Sequence, residues 1–151
     1  MATIEDFQTY SVSHITPDQV EATGSMLSEV SVPLLVTLDW FIDRAGVPVV
    51  LLKNGMTSGK HDSPYHAAGK AADVAFDSTP LNVPVRHLVM LASRCGFQGV
   101  GLYWNGVAYS MHLDIGDSFR QWARRKRPDG TWQQAALIVD PADPACWPTS
   151  S

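Results

Sequence analysis

One stretch decides the fold of this chain: Gly99-Val-Gly-Leu-Tyr-Trp-Asn-Gly-Val-Ala-Tyr-Ser-Met-His-Leu-Asp-Ile115. The Asn105-Gly106 pair at its centre predicts a two-residue hairpin turn, because these residues readily adopt the positive φ that such turns need. After the turn, Val, Tyr, Met, Leu and Ile alternate with Ala, Ser, His and Asp. Successive side chains of a strand point to opposite faces. One face therefore packs on a core, and the other carries His112 and Asp114.

The length of the turn also fixes which residues of the hairpin lie opposite each other. A two-residue loop places Ser110 opposite Gly101 and His112 opposite Gly99. Glycine has no side chain, so this register predicts open space over the polar face of the hairpin.

The flanking segments predict an α+β fold, an antiparallel sheet backed by helices. Residues 1–15 are expected to be extended or loosely attached, 54–65 to form a loop, and the proline-containing tail after residue 141 to be irregular. The predicted helices begin with Thr16-Pro17 and continue to Val30, run from Pro33 to the stop at Gly46, and run from Val83 to Cys95. The predicted strands outside the first hairpin are Val49–Leu52, Lys70–Phe76, and a second hairpin from Arg120 to Trp132.

The composition is that of an ordinary globular chain. Its 151 residues fit one domain, 1–151, with 45% hydrophobic and 17% charged residues. The net charge of -4 argues against nucleic acid as a partner. The basic run Arg124–Arg127 has two interpretations: a solvated surface hairpin, or a contact to an anionic polymer such as cell wall.

The sequence contains no targeting signal, and its cysteines do not predict a disulfide. No window is apolar and long enough to span a membrane. The start, Met-Ala-Thr-Ile-Glu-Asp, lacks the basic and apolar regions of a signal peptide, so synthesis in the cytoplasm is expected. Cys95 and Cys146 are therefore predicted to be free thiols.

Three side chains have the spacing of a metal site. His66 and Asp73 lie on one segment and His112 on the polar face of the hairpin. Two imidazoles and a carboxylate form a ligand set that catalytic zinc uses, with a fourth position left for water. The other histidines, His14, His61 and His87, receive the ordinary interpretation of surface or hydrogen-bonded residues.

The same residues fall within longer motifs. The segment His66-x-x-Gly69-x-Ala71-x-Asp73, with Ser63 upstream, resembles the signature of the zinc D-alanyl-D-alanine carboxypeptidase and endopeptidase family. The later segment resembles the branch of murein endopeptidases and phage endolysins, and the similarity covers about residues 33–122. The matching parts of that segment are Gly99–Tyr103, His112-Leu-Asp114-x-Gly116 and Arg120-x-Trp122.

The resemblance implies a compact α+β fold shared with hedgehog signalling domains. It implies one Zn²⁺ held by His66, Asp73 and His112, and hydrolysis of a peptide bond in peptidoglycan stems or crosslinks. It suggests a monomeric phage endolysin released to the wall by a holin, or a virion-associated wall hydrolase. The alternative is a zinc-containing structural or binding domain without turnover, because one fold can serve several functions.

The sequence gives less information about the catalytic base than about the metal ligands. Many family members carry a glutamate three residues before the last zinc histidine, and here that residue is Tyr109. Asp114 is therefore the predicted catalytic residue, since it shares a strand face with His112. The alternative is that Asp114 orients a zinc histidine and accepts no proton from water.

Overall fold

A six-stranded mixed sheet forms the centre of the computed structural model, which describes residues 1–77, 81–135 and 139–147. The helices are α1 (Ile4–Thr9), α2 (Pro17–Ala22), α3 (Val32–Arg44), α4 (Pro64–Ala67) and α5 (Val85–Cys95), with 3₁₀ turns at Leu27–Glu29 and Pro144–Cys146. The strands are β1 (Val49–Leu51), β2 (Ala71–Phe76), β3 (Gly99–Trp104), β4 (Tyr109–Asp114), β5 (Arg120–Lys126) and β6 (Trp132–Ala135). The predicted α+β class is confirmed.

The strand order is β1-β2-β4-β3-β5-β6. Every neighbouring pair is antiparallel except β3 and β5, which run parallel. The expectation of a purely antiparallel sheet was wrong at this one pairing. Because β4 is already paired with β2 and β3, the returning chain joins the free edge of β3 and runs in the same direction.

The core lies between the sheet and the two longer helices. Ser31 caps α3, its hydroxyl accepting a hydrogen bond from the Leu34 amide at 3.2 Å. Phe41 of α3 meets Phe97 edge-on, with ring centroids 6.2 Å apart. The buried side chains of this core include Leu34, Leu35, Leu38, Leu88, Val89, Val100, Leu102, Met111 and Leu113.

The N-terminal region is more ordered than the sequence suggests. Residues 1–15 were expected to be loose, but they contain α1, whose Phe7 is buried, and the Ala2 amide donates to the carbonyl of Val30 at 2.8 Å. The helix predicted to reach Val30 ends at Ala22. Gly24 has a φ of 93°, a conformation incompatible with continuing the helix.

The central hairpin has a longer loop than the sequence predicts. Trp104 pairs with Tyr109, so the loop has four residues. The Asn105 side chain accepts hydrogen bonds from the Val107 and Ala108 amides at 2.8 and 2.9 Å, closing the turn through its side chain. The predicted register was therefore wrong by two residues.

Both glycines of β3 lie opposite polar residues of β4. His112 lies opposite Gly101, and Asp114 lies opposite Gly99. A Cβ atom on Gly101 would lie 2.6 Å from the Trp122 indole, and one on Gly99 would collide with the Asp114 carboxylate. The expected open space is therefore filled, because neighbouring side chains fold over the two glycines.

Residues in register form three rows across the face of the sheet away from α3 and α5, here called the site face. The rows run from β2 through β4 and β3 to β5, and the third reaches β6. They are Ala71, Asp114, Gly99 and Arg120; then Asp73, His112, Gly101 and Trp122; then Ala75, Ser110, Tyr103, Arg124 and Gln134.

Two further expectations concern cysteines and membranes. Cys95 and Cys146 are both free, as predicted. Within the described ranges, the chain has no helix with the length and apolar character needed to cross a bilayer.

We predict that Gly101→Ala lowers the free energy of unfolding by about 1–3 kcal/mol, the usual cost of overpacking. The added methyl would push the Trp122 indole away, because their separation of 2.6 Å is shorter than a van der Waals contact. Denaturant unfolding measures the change. In a double-mutant cycle, the same substitution in a Trp122→Ala background should cost much less; an equal cost in both backgrounds would contradict this explanation.

Candidate metal centre

Three acceptor atoms converge on one point of the site face. His66 Nε2 lies 3.1 Å from His112 Nδ1 and 3.4 Å from Asp73 Oδ1. His112 Nδ1 lies 3.3 Å from the same Asp73 oxygen. The structure thus brings together all three side chains that the sequence predicts as ligands.

The second nitrogen of each imidazole fixes the position of its proton. His66 Nδ1 lies 2.8 Å from the carbonyl oxygen of Met56, and His112 Nε2 lies 2.7 Å from Asp114 Oδ2. Carbonyl and carboxylate oxygens only accept hydrogen bonds, so both of these nitrogens carry protons. In the neutral rings, the nitrogens that face each other are then lone-pair donors, which is the arrangement of metal-binding histidines.

Local backbone structure delivers each of these side chains. Asp73 and His112 are directly paired across β2 and β4. His66 was expected in a loop but lies in the short helix α4, which Ser63 caps through a hydrogen bond from the Tyr65 amide at 3.2 Å. Gly69 follows α4 with a φ of 72°, and a Cβ there would collide with the carbonyl of Glu29. Only glycine fits this connection between His66 and Asp73.

The charges around the centre favour a cation. Burial raises the pKa of Asp73, but hydrogen bonds and charge from His112 and His66 outweigh it and lower that pKa to about 2. Burial lowers the pKa of His112, while its hydrogen bonds to Asp114 and Asp73 raise it by more, so the net shift is upward. Two ionised carboxylates therefore surround the histidines and stabilise a positive charge between them.

A third histidine, His61, belongs to the same cluster; from the loop before His66 it could be expected to approach the site, but the sequence indicated no role for it there. The His61 ring stacks on His66 at a centroid distance of 3.6 Å, and its Nδ1 lies 3.7 Å from Asp73 Oδ2. His61, His66 and Asp73 form a group that could hold a metal ion, with ligand atoms within 4.8 Å of one another. The five-residue spacing from His61 to His66 was the only signal in the sequence.

The loop before α4 fixes the orientation of His61. Its Nε2 lies 2.8 Å from the carbonyl oxygen of Asn54 and 2.9 Å from that of Ser58, so this nitrogen carries the proton. Asn54 and Gly59 both have positive φ, which curls the loop around the ring. The unprotonated Nδ1 is thereby directed toward Asp73.

Asp114 lies behind His112 and is fully buried. Its Oδ2 accepts from His112 Nε2 at 2.7 Å, and its Oδ1 accepts from the Gly116 amide at 2.9 Å. Arg120 donates to both oxygens, at 3.2 and 2.6 Å. Burial raises the pKa of Asp114, but these hydrogen bonds outweigh it and lower the pKa to about 2. With both oxygens engaged away from the cavity, this geometry favours the orienting role over the proton-accepting role.

Arg120 also contacts the segment that carries His66. Its guanidinium lies over the Tyr65 ring, 4.8 Å from the centroid. Tyr65 directly precedes His66. One arginine thus contacts both Asp114, which is hydrogen-bonded to His112, and Tyr65, which is a residue of α4.

Tyr109 is directed away from the centre. Its hydroxyl donates to Asp140 Oδ1 at 2.7 Å. Burial raises the pKa of Tyr109, and the hydrogen bond to Asp140 raises it further. The tyrosine is therefore neither placed nor ionised for proton transfer at the metal centre.

The centre opens into a cavity of 580 Å³ whose wall includes Tyr103, Trp122, Trp132 and Arg124. Trp122 lies 5.3 Å from the His112 ring and donates its indole N–H to the Tyr103 hydroxyl at 3.0 Å. Trp132 meets Tyr103 edge-on at 5.7 Å. A row of aromatic rings thus leads from the metal centre toward the outer edge of the sheet.

Comparisons of the chain with protein-family models, with characterised proteins and with solved structures give no match. The function must therefore be argued from the site itself.

We predict that Arg120→Met costs about 3 kcal/mol of unfolding free energy, the scale for breaking a buried ion pair. The substitution leaves the buried Asp114 carboxylate without its partner, because the 2.6 Å contact to Arg120 is lost. Denaturant unfolding of the two proteins measures the difference. Arg127→Met is the control, since Arg127 is exposed on a turn and should change stability by no more than about 0.5 kcal/mol. Equal effects of the two variants would contradict the assignment.

Proposed function

We propose that this protein is a zinc-dependent peptidase that hydrolyses a peptide bond in peptidoglycan. The observation that carries the proposal is the triangle of ligand atoms on His66, Asp73 and His112, 3.1–3.4 Å apart. The resemblance of the sequence around these residues to zinc murein peptidases supplies the substrate class.

The triangle fits zinc in size and in chemistry. Tetrahedral zinc with bonds of about 2.0–2.1 Å has ligand atoms about 3.3 Å apart, and the observed edges lie on both sides of that value. Imidazole nitrogens and carboxylate oxygens are both ligands that zinc accepts. We assign His66, Asp73 and His112 as the ligands, because the His112 contacts are shorter than the 3.7 Å between His61 and Asp73.

When bound, zinc polarises a substrate carbonyl and lowers the pKa of water to about 7. The residues of the chain supply the remaining roles. His61 Nδ1, unprotonated and held beside Asp73, is placed to accept a proton in the cavity and return it to the leaving amine. Asp114 acts through His112, whose ring it orients from behind.

The cavity suits a peptide lying across the sheet. Its aromatic wall provides apolar surface on one side of the metal centre, and polar residues line the other side. The proposal extends to the finer fold, a zinc domain of hedgehog and DD-peptidase type, and to a monomeric phage endolysin or virion-associated hydrolase acting on the cell wall.

A second candidate function is a zinc-containing binding domain without turnover. One observation favours it. Tyr109 occupies the position where the similar zinc peptidases have a glutamate base, and its hydroxyl is hydrogen-bonded to Asp140 outside the centre. If neither His61 nor the Asp62 carboxylate of the cavity accepts a proton, the same zinc site would serve binding alone.

We predict one zinc ion per chain. His66→Ala, Asp73→Ala and His112→Ala should each reduce zinc content to near zero after dialysis against a mild chelator, because two ligands do not retain the ion. Elemental analysis measures the content. His61→Ala should keep full zinc, since His61 lies outside the assigned triangle, and His87→Ala is the surface control. Loss of zinc from the His61 variant with retention in the His112 variant would instead select His61, His66 and Asp73 as the site.

We predict that the zinc-loaded protein releases new amino groups from purified peptidoglycan without new reducing sugar ends. Amino-group labelling and a reducing-end assay of the same digest measure the two products. New reducing ends would reject the peptidase proposal, and no release of either kind would favour the binding domain.

The His61 variant tests the proton-transfer role in the same assay. His61→Ala should retain zinc and lose about a hundredfold or more of turnover, the usual scale for a general base. Tyr109→Phe is the matched control and should stay within a few-fold of the wild type. The opposite ranking at equal zinc content would reject the assignment of His61.

A further inference from the structure

Arg124 stands out among the described basic residues of the β5–β6 hairpin because it lines the cavity of the metal centre. Its strand neighbours in register are Tyr103 on β3 and Gln134 on β6. It lines the same cavity as His66, Asp73 and His112. Its side chain is 29% exposed, which leaves part of the guanidinium accessible from the cavity.

The guanidinium is held in place without being neutralised. Its Nε donates to the Gln134 side-chain oxygen at 2.6 Å, and its Cζ lies 5.7 Å from the centroid of the Tyr103 ring. Both contacts are with neutral groups. The Nη groups therefore keep their donors in a fixed orientation, as in arginines that recognise carboxylates.

The only carboxylate paired with Arg124 among the described residues is that of Asp62, and the pair is weak. Asp62 Oδ2 lies 3.7 Å from Nη1, and the Asp62 side chain is 95% exposed. Exposed ion pairs of this kind contribute about 0–1 kcal/mol. Asp62 is therefore a counterion that an incoming anion can displace.

The charge of the cavity favours an anionic occupant. Its lining includes the cations Lys60 and Arg124 and the carboxylates Asp62 and Asp73. These four charges cancel, and a divalent ion at the metal centre would make the cavity positive. A positive cavity attracts and orients negatively charged ligands.

We infer that Arg124, supported by Gln134 and Tyr103, binds a carboxylate of the substrate and displaces Asp62. Identifying that substrate as a peptidoglycan peptide rests on the proposed function. The row of Arg124 is two residues along the strands from the row of Asp73 and His112, and β3 lies between β4 and β5, so the recognised carboxylate is separate from the bond that is cut. The ligand class is an acidic stem peptide with free carboxylates, in preference to its amidated form.

The adjacent residue provides a matched control. Arg125 makes the same type of cross-strand contact, its Nε donating to the Gln133 oxygen at 2.9 Å. It lies on the opposite face of β5, with its guanidinium 4.9 Å from the Trp147 ring. Arg124→Gln and Arg125→Gln therefore remove the same charge from the same strand, but only the first removes it from the cavity.

The test measures binding of two probes to the full-length protein by calorimetry. The probes are a muropeptide with free carboxylates and the same muropeptide with its carboxylates amidated. Arg124→Gln should weaken binding of the free-carboxylate probe roughly ten- to a hundredfold, the scale of a hydrogen bond to a charged group, and leave the amidated probe unchanged. Arg125→Gln should change neither.

Asp62→Asn provides an independent check that does not remove the arginine. It should strengthen binding of the free-carboxylate probe a few-fold, because the competing counterion is gone. Equal affinity of both probes for the wild type, or equal effects of the Arg124 and Arg125 variants, would overturn the inference. Binding and hydrolysis are separate readouts: selective binding by a protein that hydrolyses nothing would reject the proposed peptidase and leave the carboxylate site standing. Hydrolysis at an unchanged rate in the Arg124→Gln variant would reject the carboxylate site and leave the proposed peptidase standing.

Discussion

The pairing of β2 with β4 is the constraint on which the metal centre depends. It places Asp73 directly opposite His112, on the face of the sheet away from the core. A slip of one residue in either strand would turn one of these side chains to the other face, among the buried apolar residues. The alternation of the apolar residues Val74, Met111 and Leu113 with the polar ones therefore secures the site as well as the core.

The two histidines of the triangle are held by different parts of the chain that meet at Arg120. His112 is fixed through the buried Asp114 carboxylate, and α4 is held through Tyr65. The hydrogen bonds behind both rings orient the ligand atoms through contacts of the protein itself. Such an arrangement requires close packing, and glycine at positions 99, 101 and 116 provides the space for the Asp114, Trp122 and Tyr65 side chains.

Different rows of residues on the site face present different functional groups. One row presents Asp73 and His112, and the next presents Tyr103 and Arg124. A peptide lying over both rows would meet the reactive centre and a separate recognition element. The basic run of the hairpin is split by the same alternation, so that Arg124 enters the cavity and Arg125 contacts Trp147 on the other face.

The sequence by itself determined the α+β class, the positions of most strands and the three residues of the triangle, because alternation and motif spacing are local properties. It could not determine that the hairpin loop has four residues. The local sequence is compatible both with a two-residue turn and with a turn that the Asn105 side chain closes. It also left open whether Asp114 accepts a proton from water or orients a zinc histidine, and where the His61 ring lies. Those answers depend on contacts between different elements of the fold, Asp114 with Arg120, Arg120 with Tyr65, and His61 with Asp73. Only the tertiary structure decides them, because burial and hydrogen-bond partners across the sheet, rather than residue type, set the role of each polar side chain.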